Sequence, residues 1–171
     1  GNGTLTLSGA NTYYGDTTVN TGRLVTTTAS TGAGNFTVAT SAALGVTVAS
    51  AGTTLQVANL TNGTSELQLN AGTFGNPGVP VVNVAGSLAM NGNMTISLSG
   101  VGLTAGGPFT VLTYNPATRS GPGTFILNNS PRIVATLNDD GIGNVTMTII
   151  SADSAVKWLG GSTGDWDISN S

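Results

Sequence analysis

Residues 3–24 read GTLTLSGANTYYGDTTVNTGRL. Leu5 and Leu7 alternate with Thr4, Thr6 and Ser8, a period of two that sets the leucines on one face of a strand and the hydroxyls on the other. Thr17-Thr18-Val19 forms a second short strand pattern, and Gly9, Asn11, Gly15 and Asp16 supply the turn chemistry before it. Asn20-Thr21-Gly22 then turns the chain into Arg23-Leu24-Val25. Three brief strands and two tight turns in so short a span fit one rung of a β-solenoid. They also fit a meander in an antiparallel sandwich, and pattern alone leaves both open.

The same punctuation continues outward from this stretch. Strand patterns lie at Arg23–Thr28, Phe36–Ala39, Gly45–Val48 and Thr53–Val57, each with one apolar face and with turns every eight to twelve residues or so. Asn59 to Thr64 reads as a turn because it holds an Asn-Gly pair. Ser65–Asn70 alternates again, with Leu67 and Leu69 inward and Glu66, the only glutamate, on the opposite face. Residues 71–80 (AGTFGNPGVP) form a Gly/Pro loop whose prolines cannot donate to a ladder. Further strands are expected at Val81–Ala85, Leu88–Met90, Met94–Leu98, Pro108–Tyr114 and Gly123–Leu127, with a loop at residues 115–122.

Near the C-terminus the pattern changes. Two long strands, Arg132–Leu137 and Asn144–Ile150, flank Asn138-Asp139-Asp140-Gly141-Ile142-Gly143, where Asp-Gly favours an antiparallel hairpin. Such a hairpin would cover the open end of a solenoid, whose exposed strand edges otherwise invite aggregation. Residues 153–171 hold both tryptophans, Trp158 and Trp166, with three glycines between them. They read either as a tail packed by one aromatic on a neighbouring surface or as a connector to a further unit.

Composition narrows the function classes. Charged residues are 6% and hydrophobic residues 39% of the 171 residues, too apolar and too little charged for a disordered chain. Thr and Val favour strands, Gly and Asn favour turns, and no window carries a sustained helical period. The four cations, Arg23, Arg119, Arg132 and Lys157, are scattered and the net charge is −3. This argues against nucleic acid, which requires clustered cations, and against electrostatic membrane attachment. No apolar run approaches the 20 or so residues of a membrane-spanning helix. Histidine and cysteine are both absent, which removes most zinc sites and the Ser/His and Cys/His arrangements.

Carboxylates remain, as in polysaccharide-cleaving β-helices that work with aspartates alone. The candidates are Asp139 with Asp140, in the hairpin turn, and Asp165 with Asp167, in the connector; Asp16 and Asp153 stand apart. None falls in the middle of the presumed solenoid, so the expectation is a protein without catalytic activity and without a cofactor. Asn138, Asp139 and Asp140 offer oxygens for a calcium ion, but turn chemistry is the simpler explanation for them. Glycan recognition would use exposed aromatics, which points to Tyr13, Tyr14, Trp158 and Trp166. Asn-x-Thr triplets at Asn2, Asn35, Asn59, Asn93 and Asn144 are formal glycosylation sites of the kind that an Asn/Thr-rich chain produces by chance.

Two resemblances add to this. Gly3–Gly9, Asn11-Thr12-Tyr13, the Gly15 turn, Thr17-Thr18-Val19 and Gly22-Arg23-Leu24 together resemble the autotransporter-associated β-strand repeat. Phe125–Leu127, Pro131-Arg132, Ala135–Leu137 and Asn144–Ile149, then Trp158-Leu159-Gly160 and Trp166-Asp167, are similar to the closing segment of repeat units in giant surface proteins of planctomycete- and verrucomicrobium-like bacteria. The resemblances imply a right-handed parallel β-helix in a secreted or surface-displayed bacterial protein, and a chain that starts inside one repeat and stops inside another. The organisation expected is therefore a solenoid module over residues 1–150, its hairpin at 132–150, and a connector at 151–171. Small inward residues would fill a narrow core, and copies or adjacent repeats would stack end to end into a fibre. The rival function classes are a glycan-binding adhesin passenger and a polysaccharide-degrading enzyme.

Overall fold

In the computed structural model, which describes residues 1–130 and 132–152, Leu5 lies beside Leu24 in a parallel ladder. The opening stretch is thus one complete turn of a winding chain, whose third strand stacks on its first. The turn places β1 (Thr4–Thr6) and β2 (Thr17–Val19) on two different sheets. The second turn repeats this with β3 (Arg23–Thr27) and β4 (Phe36–Val38). Each of the next three turns adds a strand on a third sheet. They contain β5 (Ala43–Thr47), β6 (Leu55–Val57) and β7 (Leu60–Asn62); β8 (Ser65–Asn70), β9 (Val82–Val84) and β10 (Leu88–Met90); and β11 (Met94–Ser99), β12 (Gly106–Tyr114) and β13 (Arg119–Ser120). The chain closes with β14 (Phe125–Leu127), β15 (Ile133–Asp139) and β16 (Asn144–Ala152).

The first sheet runs β1-β3-β5-β8-β11-β14, the second β2-β4-β7-β10-β13 and the third β6-β9-β12-β16-β15. All pairings are parallel except those of β16 with β12 and β15, which are antiparallel. This is an all-β parallel solenoid with an antiparallel hairpin near the C-terminus, as the sequence pattern anticipates. The sandwich alternative falls, because successive strands of the first and second sheets are parallel and one full turn apart in sequence.

Period-two alternation sets which side chains enter the core. One inward column passes through every strand of the first sheet: residues 5, 24, 44, 67, 96 and 127, which are Leu, Leu, Leu, Leu, Ile and Leu. From those positions, a turn lengthens along the chain from 19 residues to 31, so the solenoid widens toward its C-terminal end. Leu44, Leu67 and Ile96 are buried. The interior is therefore filled by large aliphatic residues, joined by Met90, Met94, Met147 and Phe36, and not by the small residues expected. The turns, from 19 to 31 residues long, enclose a cross-section wide enough to take them.

Corners bring successive turns close together. A β-carbon on Gly92 would run into the Thr64 backbone of the preceding turn. At Gly22 the backbone adopts φ 74°, the left-handed region in which glycine carries no steric penalty.

Two loops of the sequence reading contain strands. Asn59–Thr64 holds β7, and the turn begins only at Gly63. Asn62 takes the place of an apolar residue in the inward column Val19, Val38, Asn62, Met90. It survives there fully buried because its amide donates to the Gly92 carbonyl at 2.9 Å and to the Gly63 carbonyl, while its oxygen accepts from Ser65 Oγ. Residues 115–122 likewise contain a 3-10 turn, Pro116–Thr118, and the two-residue β13. The second hairpin strand runs on to Ala152.

Candidate functional site

The two ends of the solenoid differ in what covers them. At the N-terminal end, β1 and β2 are the outermost strands of their sheets. The Arg23 amide donates to the Gly3 carbonyl at 3.0 Å, and the Leu7 amide to the Val25 carbonyl at 2.8 Å. Because strand groups alternate in direction, the backbone N–H and C=O groups of Thr4 and Thr6 point the other way, along the open edge. Leu5 stands at the head of the aliphatic column and is 61% exposed, whereas Leu24 beneath it is 5% exposed. With Leu7, Tyr13, Val19 and Leu24 it lines a recess of about 640 Å³ at the mouth of the core. One acid and one base, Asp16 and Arg23, complete the charge of this rim. Asp16 accepts from the Asn35 amide at 2.8 Å, and Arg23 donates to Gln68 Oε1 at 2.7 Å and to Thr4 Oγ1 at 3.2 Å.

At the C-terminal end three features close the sheets. The β15–β16 hairpin extends the third sheet beyond β12, and its Ile133 and Ala135 are buried. β15 also lies against β14, and Phe125, Leu127 and Leu137 pack on the core. On the second sheet, the outermost strand β13 is two residues long, and its Arg119 continues the inward column Phe36, Leu60, Leu88. The guanidinium carbon lies 6.0 Å from the Phe125 ring centroid, and Nη2 donates to the Gly123 carbonyl at 2.8 Å. Nε is buried without a partner. An inward-pointing charge on a very short edge strand is a known obstacle to edge-to-edge pairing. Beside it, Tyr114 is buried and donates to Asp139 Oδ1 at 2.7 Å. Burial, then the hydrogen bond to the Asp139 carboxylate, push its hydroxyl up to about 12.

The structure places Tyr13 and Tyr14 together at the open end. Tyr14 is 76% exposed. Tyr13 borders the recess, and its hydroxyl accepts from Thr17 Oγ1 at 3.2 Å. Trp158, Trp166, Asp153, Asp165 and Asp167 lie outside the described residues. Asp139 and Asp140 share the hairpin turn, and local donors engage both. Asp139 accepts from Tyr114 and from the Gly141 amide. Asp140 accepts from the Ile142 and Asn144 amides, each at 2.9 Å, and from the Asn144 side chain at 2.7 Å. The Asn144 contacts hold its carboxyl below the usual carboxylate range. Glu66, on the outer face of the first sheet, accepts from Gln68 at 2.7 Å and Ser97 at 3.2 Å.

The Asn-x-Thr triplets have a structural origin at two positions. Asp16, Asn35, Asn59 and Ser87 precede successive strands of the second sheet and bond in file, with Asn59 donating to Asn35 at 2.7 Å and Ser87 Oγ to Asn59 at 2.8 Å. The next residue, Phe36 or Leu60, turns inward, and the one after, Thr37 or Thr61, faces outward. The triplet is thus a register signal: corner amide, core residue, surface hydroxyl. Arg119 escapes sequence reasoning because it falls in an apparent loop. Its only signal is arginine in a chain nearly free of charge.

No protein-family model, curated protein or solved structure matches this chain. Among the described residues no helix is long and apolar enough to cross a membrane.

Proposed function

We propose that the chain is a non-enzymatic structural module of a bacterial extracellular or cell-surface protein, of the autotransporter-associated repeat kind, which lengthens a rod or fibre by β-stacking. The observation that carries this is Leu5. An aliphatic column that is buried through the body of the solenoid ends at an exposed leucine, beside strand edges with unused backbone groups. Covering that end with another turn would bury the leucine and satisfy those groups. The N-terminal end is where an adjacent repeat or another copy would stack, and the hairpin and Arg119 mark the other boundary of the module. The engagement of Asp16, Asp139, Asp140 and Glu66 by neighbouring donors supports a structural role for them over a catalytic one.

Electron microscopy of the native material, with mass analysis of the intact polypeptide, tests this reading. Rods or fibres with an axial repeat of one module are expected. Discrete globular particles of this length alone would reject it. A second reading, a glycan-binding passenger, draws on the exposure of Tyr14; binding on a glycan array that disappears in Tyr14→Ala would favour it.

A further inference from the structure

We infer that Asn91-Gly92 is a self-modification site, where the native chain loses ammonia and converts Asn91 to aspartate and isoaspartate, and that the isoaspartate form releases the buried Asn62. Two Asn-Gly pairs occupy stacked corners in the body of the solenoid. Asn62-Gly63 leads from β7 into β8, and Asn91-Gly92 leads from β10 into β11, one turn further on. A third pair, Asn2-Gly3, precedes β1. The ladder sets Asn62 beside Met90, so the second asparagine comes one residue later in register than the first. With a period of two, that single step turns it from the core to the surface. Asn62 is fully buried and Asn91 is exposed.

The reaction needs no partner but water. The Gly92 amide nitrogen gives up its proton and attacks Cγ of Asn91. The new carbon–nitrogen bond closes a succinimide ring, and the side-chain nitrogen leaves as ammonia. Water then opens the ring at one carbonyl or the other, giving isoaspartate or aspartate. A glycine after the asparagine hinders the attack least, because it has no side chain. At Asn91 both reacting groups are free: neither its side chain nor the Gly92 N–H has a hydrogen-bond partner among the described residues. At Asn62 both are held. The Gly63 N–H donates to the Val38 carbonyl at 2.8 Å, and the Asn62 side chain bonds to the Gly63 and Gly92 carbonyls and to Ser65 Oγ. The glycine at the reactive corner is imposed by packing, since a β-carbon on Gly92 would lie 2.5 Å from the Thr64 backbone nitrogen.

The two corners are joined. The Gly92 carbonyl accepts from the Asn62 side-chain amide at 2.9 Å. Isoaspartate adds a methylene to the main chain just before Gly92, which moves this carbonyl and leaves a buried N–H unpaired. Ordinary aspartate keeps the chain length and therefore the contact.

Timed incubation of the native chain at mildly alkaline pH tests this. Samples are unfolded and cleaved at weakly acidic pH after Arg23 and after Glu66, which puts Asn2, Asn62 and Asn91 on three separate peptides. Mass spectrometry reads the change from amide to acid, and isoaspartyl-specific methylation reads the isoaspartate. Asn91 should convert at least tenfold faster than Asn62 in the native chain, and the two rates should come together in denaturant, where only the shared Asn-Gly chemistry remains. Asn91→Ser should abolish this product. The isoaspartate fraction, separated from the rest, should unfold at a lower denaturant concentration than the fresh chain, whereas Asn91→Asp should unfold where the fresh chain does. An Asn91 that converts in denaturant but stays an amide in the native chain, or an Asn62 that converts as fast as Asn91 in the native chain, would overturn the site. An isoaspartate fraction as stable as the fresh chain would overturn its link to Asn62.

Discussion

The two ends of this solenoid are built from the same ladder and treated oppositely. At the N-terminal end the column stops on an exposed leucine, the turn is narrow and two sheets show bare edges. At the C-terminal end the turn is wide. There the third sheet continues into an antiparallel hairpin, the second shrinks to two residues with an inward arginine, and β14 of the first lies against β15. Solenoids derive stability from contacts between neighbouring turns, so a terminal turn has half the support of an internal one and requires either a cap or a partner. Among the described residues a cap stands at one end of the ladder. The difference teaches that the same aliphatic column is protected where the hairpin packs on it and exposed where no turn lies over it.

The largest effect should separate the ends from the middle. Ile96 sits in the same column as Leu5 but is fully buried between Leu67 and Leu127. Ile96→Ala should cost about 2–5 kcal/mol by lost transfer energy and the cavity left behind. Leu5→Ala should cost less than about 1 kcal/mol, because most of that side chain is already in water. Chemical denaturation of both variants checks this. Equal losses would mean that the N-terminal turn is covered in solution, and the contrast between the ends would collapse.

Much of this architecture is legible in the residues. Leu5, Leu67, Leu69 and Ile96 announce their inward direction by simple alternation, and the Asp139–Gly143 run announces the hairpin. Strand direction is not legible, because a period of two is the same in a parallel and an antiparallel sheet. Asn62 misleads because an Asn-Gly pair is a turn signal that here operates one residue late, with the amide drawn inside by the Gly92 carbonyl, 30 residues further along the chain. At the candidate site, alternation gives the direction of Leu5 but not its exposure: Tyr13 and Tyr14 lie at the same end, and Leu5 reads as an ordinary core residue. Whether the head of a column is covered depends on the neighbouring turn along the axis, and local pattern carries no such information.

A smaller effect belongs to the C-terminal end alone. The Tyr114 hydroxyl joins β12 of the third sheet to the hairpin through Asp139. Its folded value of about 12 lies above the ordinary tyrosine value of 10.0. The folded state therefore holds this proton more tightly than the unfolded chain. The resulting stability is fully present below pH 10 and is lost as pH rises through about 12. Tyr114→Phe should cost about 1 kcal/mol at neutral pH and flatten the fall in stability between about pH 10 and 12, as read by denaturation at several pH values. An unchanged alkaline slope would mean that the hairpin is held without this contact.

The smallest change in folding stability, and the sharpest test of the contrast, is expected from Arg119→Leu. Leucine would extend the column Phe36, Leu60, Leu88 by one more aliphatic residue and remove the buried Nε that has no partner. Replacing a desolvated charge by a well-packed apolar side chain is often close to neutral, so denaturation should shift by less than about 1 kcal/mol. What should change is the surface chemistry of the end. The second sheet would now finish on an apolar residue, as the first sheet does at Leu5, and the C-terminal end would become a partner for the open N-terminal end of another copy. Light scattering should then show Arg119→Leu associating further than the parent chain under the same conditions, because head-to-tail contacts do not close. If Arg119→Leu stays at the same mass as the parent, the arginine is not what guards this edge, and the hairpin alone covers it.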